Sequence, residues 1–252
     1  MNLEQYIEIV YKNNPLWFME EVKKGHHATR IANVFKIKNY LHGTHKVLQR
    51  QDVTYKEQTY KVKKLILQNA KAICNFHSTY ILGKPVSLTG SEDLVSKMQN
   101  IYNYANYNSI DFDIADKLVK YGDSYEYIYK DKDKITSKLI DNSCAYPVYS
   151  ETGEYIAFIE YWTNLENISY YNVYTEDSVT SWSNEGCDMH IIGEYKNESG
   201  LPIHYKSSND WDNRYGEGLL ENIIPILDEI EDLLSKMGDS IYTLSLNPLL
   251  LL

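Results

Sequence analysis

The chain has 252 residues, enough to bury a substantial core as one large domain or two smaller ones. Its formal net charge of −10 argues against a reader of nucleic-acid sequence, which normally presents a basic face. It leaves room for a protein that lets DNA pass without holding it, because an acidic wall repels phosphate.

Hydrophobic content is ordinary for a folded protein, and no apolar run approaches the length of a membrane span. The start, Met1 to Tyr6, lacks the basic and apolar regions of a secretory signal. Cys74, Cys144 and Cys187 are odd in number and widely spaced, which predicts free thiols in a reducing compartment rather than a disulfide framework or zinc ligand set. Tyrosine is abundant, with 24 residues against 5 Phe and 4 Trp. Lys, Asn and Ile are plentiful too, so the bias fits an AT-rich genome and does not by itself mark a stacking surface.

Leu3 to Tyr11 reads as a short amphipathic helix that stops before Pro15. Ala28 to Arg50 is mixed, basic and rich in histidine, with a break at Gly43. Tyr60 to Leu82 carries Val62, Leu65, Ile66, Ala70, Ile73 and Phe76 at helical spacing, which predicts one helix capped by Gly83 and stopped by Pro85. Ser91 is a good N-cap for a helix running to Tyr104. Asp111 opens another, with Gly122 as its stop. The period then changes to two. Tyr125 to Tyr129 and Ile135 to Ile140 predict a hairpin about Asp131 to Lys134. Further strands are expected at Tyr155–Trp162, Tyr170–Tyr174, Val179–Trp182, Met189–Tyr195 and Ile203–Lys206. Asn209 to Gly218 reads as a linker.

The last segment is the most distinctive. Leu220, Ile223, Leu227, Ile230, Leu234, Met237, Ile241 and Leu244 recur in alternating steps of three and four, the stripe that sets one helix side against a neighbour. Pro225 must kink this helix or mark its true start. Residues 217–240 hold seven acids against Lys236 alone, whereas an ordinary exposed helix interleaves both signs. The fold class is α+β. Residues 1–123 form a helical part, 124–208 a β-rich region, and 209–252 a linker and long helix.

Chemistry-bearing patterns are sparse. His42 and His45 are three apart, but Gly43 lies between them and no third ligand sits at suitable spacing. Asp131-Lys132-Asp133 opens like a calcium loop, yet Thr136 and Asn142 stand where Gly and Glu are needed. Asp111, Asp113 and Asp116 are explained by helix-start electrostatics. No nucleophile elbow, Walker loop or dinucleotide fingerprint is present. No catalytic residue, cofactor or metal is assigned. Two rival readings are a tyrosine-rich ligand- or glycan-binding module with helical flanks, and a metallohydrolase using His42 and His45.

Five segments in order resemble the portal, or connector, proteins of long-tailed double-stranded DNA bacteriophages: residues 40–50 (YLHGTHKVLQR), 80–86 (YILGKPV), 121–129 (YGDSYEYIY), 201–205 (LPIHY) and 215–228 (YGEGLLENIIPILD). The resemblance implies a non-enzymatic virion protein with an N-terminal helical part, a wing and a stem helix. It implies a ring of about a dozen copies at one capsid vertex, built in the host cytoplasm. Implied partners are other copies, the terminase large subunit, scaffold and major capsid proteins, and head–tail connector proteins. Double-stranded DNA would pass through without sequence-specific binding, during packaging and ejection, and no membrane is involved. Under this reading Leu220, Ile223, Leu227, Ile230, Leu234, Met237 and Ile241 pack subunits together, and Asp228, Glu229, Glu231 and Asp232 face an electronegative tunnel. Asn247-Pro248 resembles the start of the clip. The family's second stem helix, tunnel loop and crown would then lie beyond Leu252, through truncation of the gene or because the chain is a portion.

Overall fold

The structure is a computed structural model, which describes residues 1–55, 57–132 and 134–246; residues 55, 58 and 243–246 are described by their backbone alone. Helix α1 (Leu3–Tyr11) starts in a capping box, in which the Asn2 side chain accepts from the Gln5 amide while Gln5 reaches back to the Asn2 amide. Helices α2 (Trp17–Glu21) and α3 (Gly25–Leu41) follow, then a 3₁₀ turn at Lys46–Gln49 and a small hairpin, β1 (Val53–Tyr55) with β2 (Gln58–Tyr60). Helices α4 (Asn69–Leu82), α5 (Glu92–Ala105) and α6 (Tyr107–Tyr121) lead into the sheets.

Two antiparallel sheets form the β-rich region. Strands β3 (Asp123–Asp131) and β4 (Lys134–Ile140) make the expected hairpin, and β10 (Ile203–Lys206) pairs with the other side of β3. Strands β5 (Ala145–Tyr149), β6 (Tyr155–Thr163), β7 (Ser169–Tyr174), β8 (Ser178–Ser183) and β9 (His190–Lys196) form a five-stranded meander in chain order. The chain ends in helix α7 (Leu219–Leu246), which contains Pro225. That proline therefore does not mark the helix start.

Alternation along the strands builds two cores. Ala157, Ile159, Tyr171 and Val173 project to one face of the meander, where they meet Tyr6, Tyr11, Trp17 and Phe18 of the first two helices. Phe158 and Tyr174 project to the other face and pack with Tyr125 and Ile140 of the smaller sheet. The meander is thus covered by α1 and α2 on one side and by the three-stranded sheet on the other. A boundary at 123 follows the change in secondary structure but cuts through the first of these cores.

Several expected elements differ. The helix expected from Tyr60 begins only at Asn69, and residues 61–67 belong to neither helix nor strand. Helix α6 begins four residues before Asp111, after Asn106 in the left-handed region. Strand β5 is not among the expected strands, and it contains Pro147. It lies on the edge of the meander, where a missing N–H removes no ladder bond to a second neighbour. Leu244 beyond its backbone, Asp133, and the clip-like Asn247-Pro248 lie outside the described residues.

Candidate functional site

The entry to α7 is fixed by close backbone contact. Gly122 ends α6 at φ +80°, and a Cβ on Gly216 would stand 2.0 Å from the Gly122 carbonyl oxygen. Only glycine allows this approach. The Gly216 amide donates to Asp123 Oδ1 at 2.8 Å, and that same oxygen accepts from His204 Nε2 at 2.8 Å. Tyr149 Oη donates to His204 Nδ1 at 2.6 Å. Burial is the main cause that pushes His204 below the usual histidine range, against the pull of Asp123. The ring is therefore neutral, with its proton on Nε2. This Asp–His–Tyr row resembles a catalytic relay in outline only. Burial also pushes the Tyr149 phenol well above its ordinary value, so it holds its proton and fastens β5, β10 and the linker together.

Along α7, one side is used by the chain itself. Leu220, Ile224 and Leu227 pack on Ile37, Tyr40, Ala70 and Cys74, with Ile223 partly buried beside them. Farther along, residues 63–67 lie against the helix. The Lys63, Leu65 and Leu67 amides donate to Asp239 Oδ1 at 2.7 Å, Ser235 Oγ at 2.9 Å and Glu231 Oε1 at 2.8 Å. Two residues of extended chain advance about 6.6 Å, and four residues of helix about 6.0 Å, so alternate amides meet successive helical turns. Residues 61–68 thus satisfy backbone groups without becoming helix. Arg50 closes the seam, with Nε 3.3 Å from Asp232 and Nη2 3.0 Å from Asp239.

Glu231 is the centre of this seam and is 1% exposed. Both of its carboxylate oxygens lie 2.8 Å from His45 Nδ1. His45 Nε2 lies 3.0 Å from the Tyr40 carbonyl oxygen, and the Tyr40 ring stacks on the imidazole at 3.9 Å. Both ring nitrogens of His45 thus have oxygen neighbours, the Glu231 carboxylate on one side and the Tyr40 carbonyl on the other. Burial, helped by Glu231 and Asp228, pushes the Tyr40 phenol well above its ordinary value.

The expected tunnel acids are therefore placed unequally. Glu231 does not face solvent: its carboxylate is enclosed by His45 and the Leu67 amide. Asp228 is half-buried, and Asp232 is shared between Arg50 and Lys236. Glu229 is largely exposed, 3.7 Å from Lys46. The expected packing stripe divides in the same way. Leu220, Ile223 and Leu227 serve the chain's own core, whereas Ile230, Leu234, Met237 and Ile241 are exposed. Ile226 and Leu233 join the exposed set although they lie off the three–four stripe. Together these six fall within an arc of about 100° on a helix of 3.6 residues per turn. The roles of Arg50, Ser235 and residues 63–67 were not foreseen. The available signal was an apolar set on α7 too wide for a single stripe.

Four of the five resembling segments converge here. Tyr40 packs with Leu220, Gly122 meets Gly216, and Tyr125 pairs with His204 across β3 and β10. The profile of the family described as phage portal protein, SPP1 Gp6-like, matches residues 20–251, almost the whole chain. The chain belongs to this phage portal protein family. No curated protein matches it.

Portal proteins are structural components of the phage capsid, and the contacts described above join the sheets to α7. Among the described residues, no helix is long and apolar enough to cross a membrane. The pair His42 and His45 is not available as a metal site. His42 is exposed, while His45 is buried with both nitrogens engaged.

Proposed function

We propose that this portal subunit assembles into a closed ring of the dodecamer type at one capsid vertex, with the exposed arc of α7 as its main subunit seam. The carrying observation is the arc itself. Ile226, Leu233, Met237 and Ile241 are each more than half exposed, in a helix whose other side packs on its own chain through Leu220, Ile224, Leu227, Glu231 and Ser235. A contiguous apolar face of this kind is a mark of protein association. In a ring each seam joins two different faces, so the arc of one subunit meets another surface of the next.

The ring conducts double-stranded DNA during packaging and ejection and docks the terminase large subunit, the scaffold and major capsid proteins, and later the head–tail connectors. Glu229 and Asp232, with Asp228 beside them, border the channel and discourage phosphate from binding. Glu231 has no part in that lining. The acidic excess of the stem is also reduced by Arg50, Lys46 and Lys236, so the repulsion is milder than the composition suggests. Negative-stain microscopy of the purified protein tests the reading. Closed rings are expected, and a strictly monomeric product that includes an intact clip and crown would overturn it.

A further inference from the structure

His27 is completely buried, and neither of its ring nitrogens has a hydrogen-bond partner. Such an orphaned imidazole calls for an explanation, since a buried polar group without a partner is costly. Glu21 Oε1 lies 3.5 Å from His27 Nε2, too far for a good hydrogen bond. That spacing has another meaning. A tetrahedral zinc ion with bonds of about 2.0–2.2 Å sets its nitrogen and oxygen ligands roughly 3.3–3.5 Å apart. His26 completes the group, and one ligand atom from each of the three residues lies within 4.8 Å of the others.

The carboxylate is held for this task. Its other oxygen, Oε2, accepts from Tyr6 Oη at 2.9 Å and from Tyr11 Oη, and pairs with Lys24 Nζ at 2.9 Å. Such bracing of a ligating carboxylate is a common feature of metal sites.

We infer that Glu21, His26 and His27 form a three-ligand zinc site, with water in the fourth position. Lys24 and Arg30 stand close by, so the local field does not favour cations in general. The two nitrogen ligands select a borderline-soft ion such as zinc over calcium or magnesium, which need cages of oxygen. His26 opens on a cavity of about 260 Å³ that it shares with Lys24, Tyr149, Arg214 and Tyr215, which gives an entry path. The ion would join α2 to the start of α3. Through Tyr6 and Tyr11 it would also tie α1 to them, beside Tyr146 of the meander, whose ring lies 5.2 Å from that of His27.

The test uses the 252-residue chain without an affinity tag, stripped with EDTA and titrated with zinc sulfate by calorimetry. Cobalt(II) in place of zinc reports tetrahedral geometry by its visible absorption. One equivalent of zinc and a zinc-dependent rise in Tm are expected. His26→Ala, an exposed position that leaves the fold intact by circular dichroism, should weaken binding at least about tenfold and abolish the Tm rise. His42→Ala should bind as the parent does. Absence of stoichiometric binding, or binding that His26→Ala leaves within about twofold, overturns the site.

Discussion

Glu231 and His45 face each other at 2.8 Å in the interior, 186 positions apart in sequence, and join α7 to the loop that follows α3. The Leu67 amide donates to the same carboxylate, so one side chain ties three parts of the chain. Removing the carboxylate leaves a buried imidazole nitrogen and an amide unpaired. Glu231→Ala is expected to cost about 3–5 kcal/mol, read from denaturant unfolding. His45→Ala added to it should cost little more, because the partner is already gone. Fully additive losses would show that the pair is not coupled.

The outer face of α7 should behave in the opposite way. Leu233 and Met237 are each more than half exposed, so Leu233→Asp with Met237→Asp should change the stability of the isolated chain by no more than about 0.5 kcal/mol per site. Sedimentation velocity should show self-association lost in the double variant. Unchanged association would move the seam elsewhere.

The joint at the start of α7 carries a pH dependence. His204 is held below its ordinary value by burial, with Asp123, Tyr149, Lys206, Arg30 and Tyr215 about it. As pH falls below about 6.5, the unfolded chain takes up the proton before the folded one does. Stability is thus complete above that value and declines toward the folded value, by at most about 1.4 kcal/mol per pH unit for this proton. His204→Gln should flatten the decline between about pH 6.5 and 5 in urea midpoints measured across pH. His27, depressed in the same sense, contributes to both proteins and cancels in the difference.

What was legible in the sequence depended on whether the cause was local. Strand alternation at Tyr125–Tyr129 and the stop at Gly122 follow from neighbouring residues, and both stand. The five-segment resemblance pointed to the family directly. Val62, Leu65 and Ile66 sit at helical spacing, yet residues 61–67 are not helical. Their amides are taken by Glu231, Ser235 and Asp239, partners some 170 positions away that no local pattern announces. Periodicity on α7 fixed that a helix forms, but not which side turns inward. Its acids turn toward the basic seam residues Arg50 and His45, which leaves much of the apolar stripe outside. Glu21 and His27, six positions apart, come together only through the turn between α2 and α3, which composition could not reveal.

The most direct test of the subunit seam is oxidative footprinting of Met237, because an exposed methionine is readily oxidised and a packed one is shielded. Met237 is 58% exposed in the single chain, and Met98, 41% exposed on α5, serves as a reference. In the assembled particle Met237 should be strongly protected relative to the dissociated subunit. Equal oxidation of Met237 in particle and subunit would contradict the assignment of this face to the ring seam.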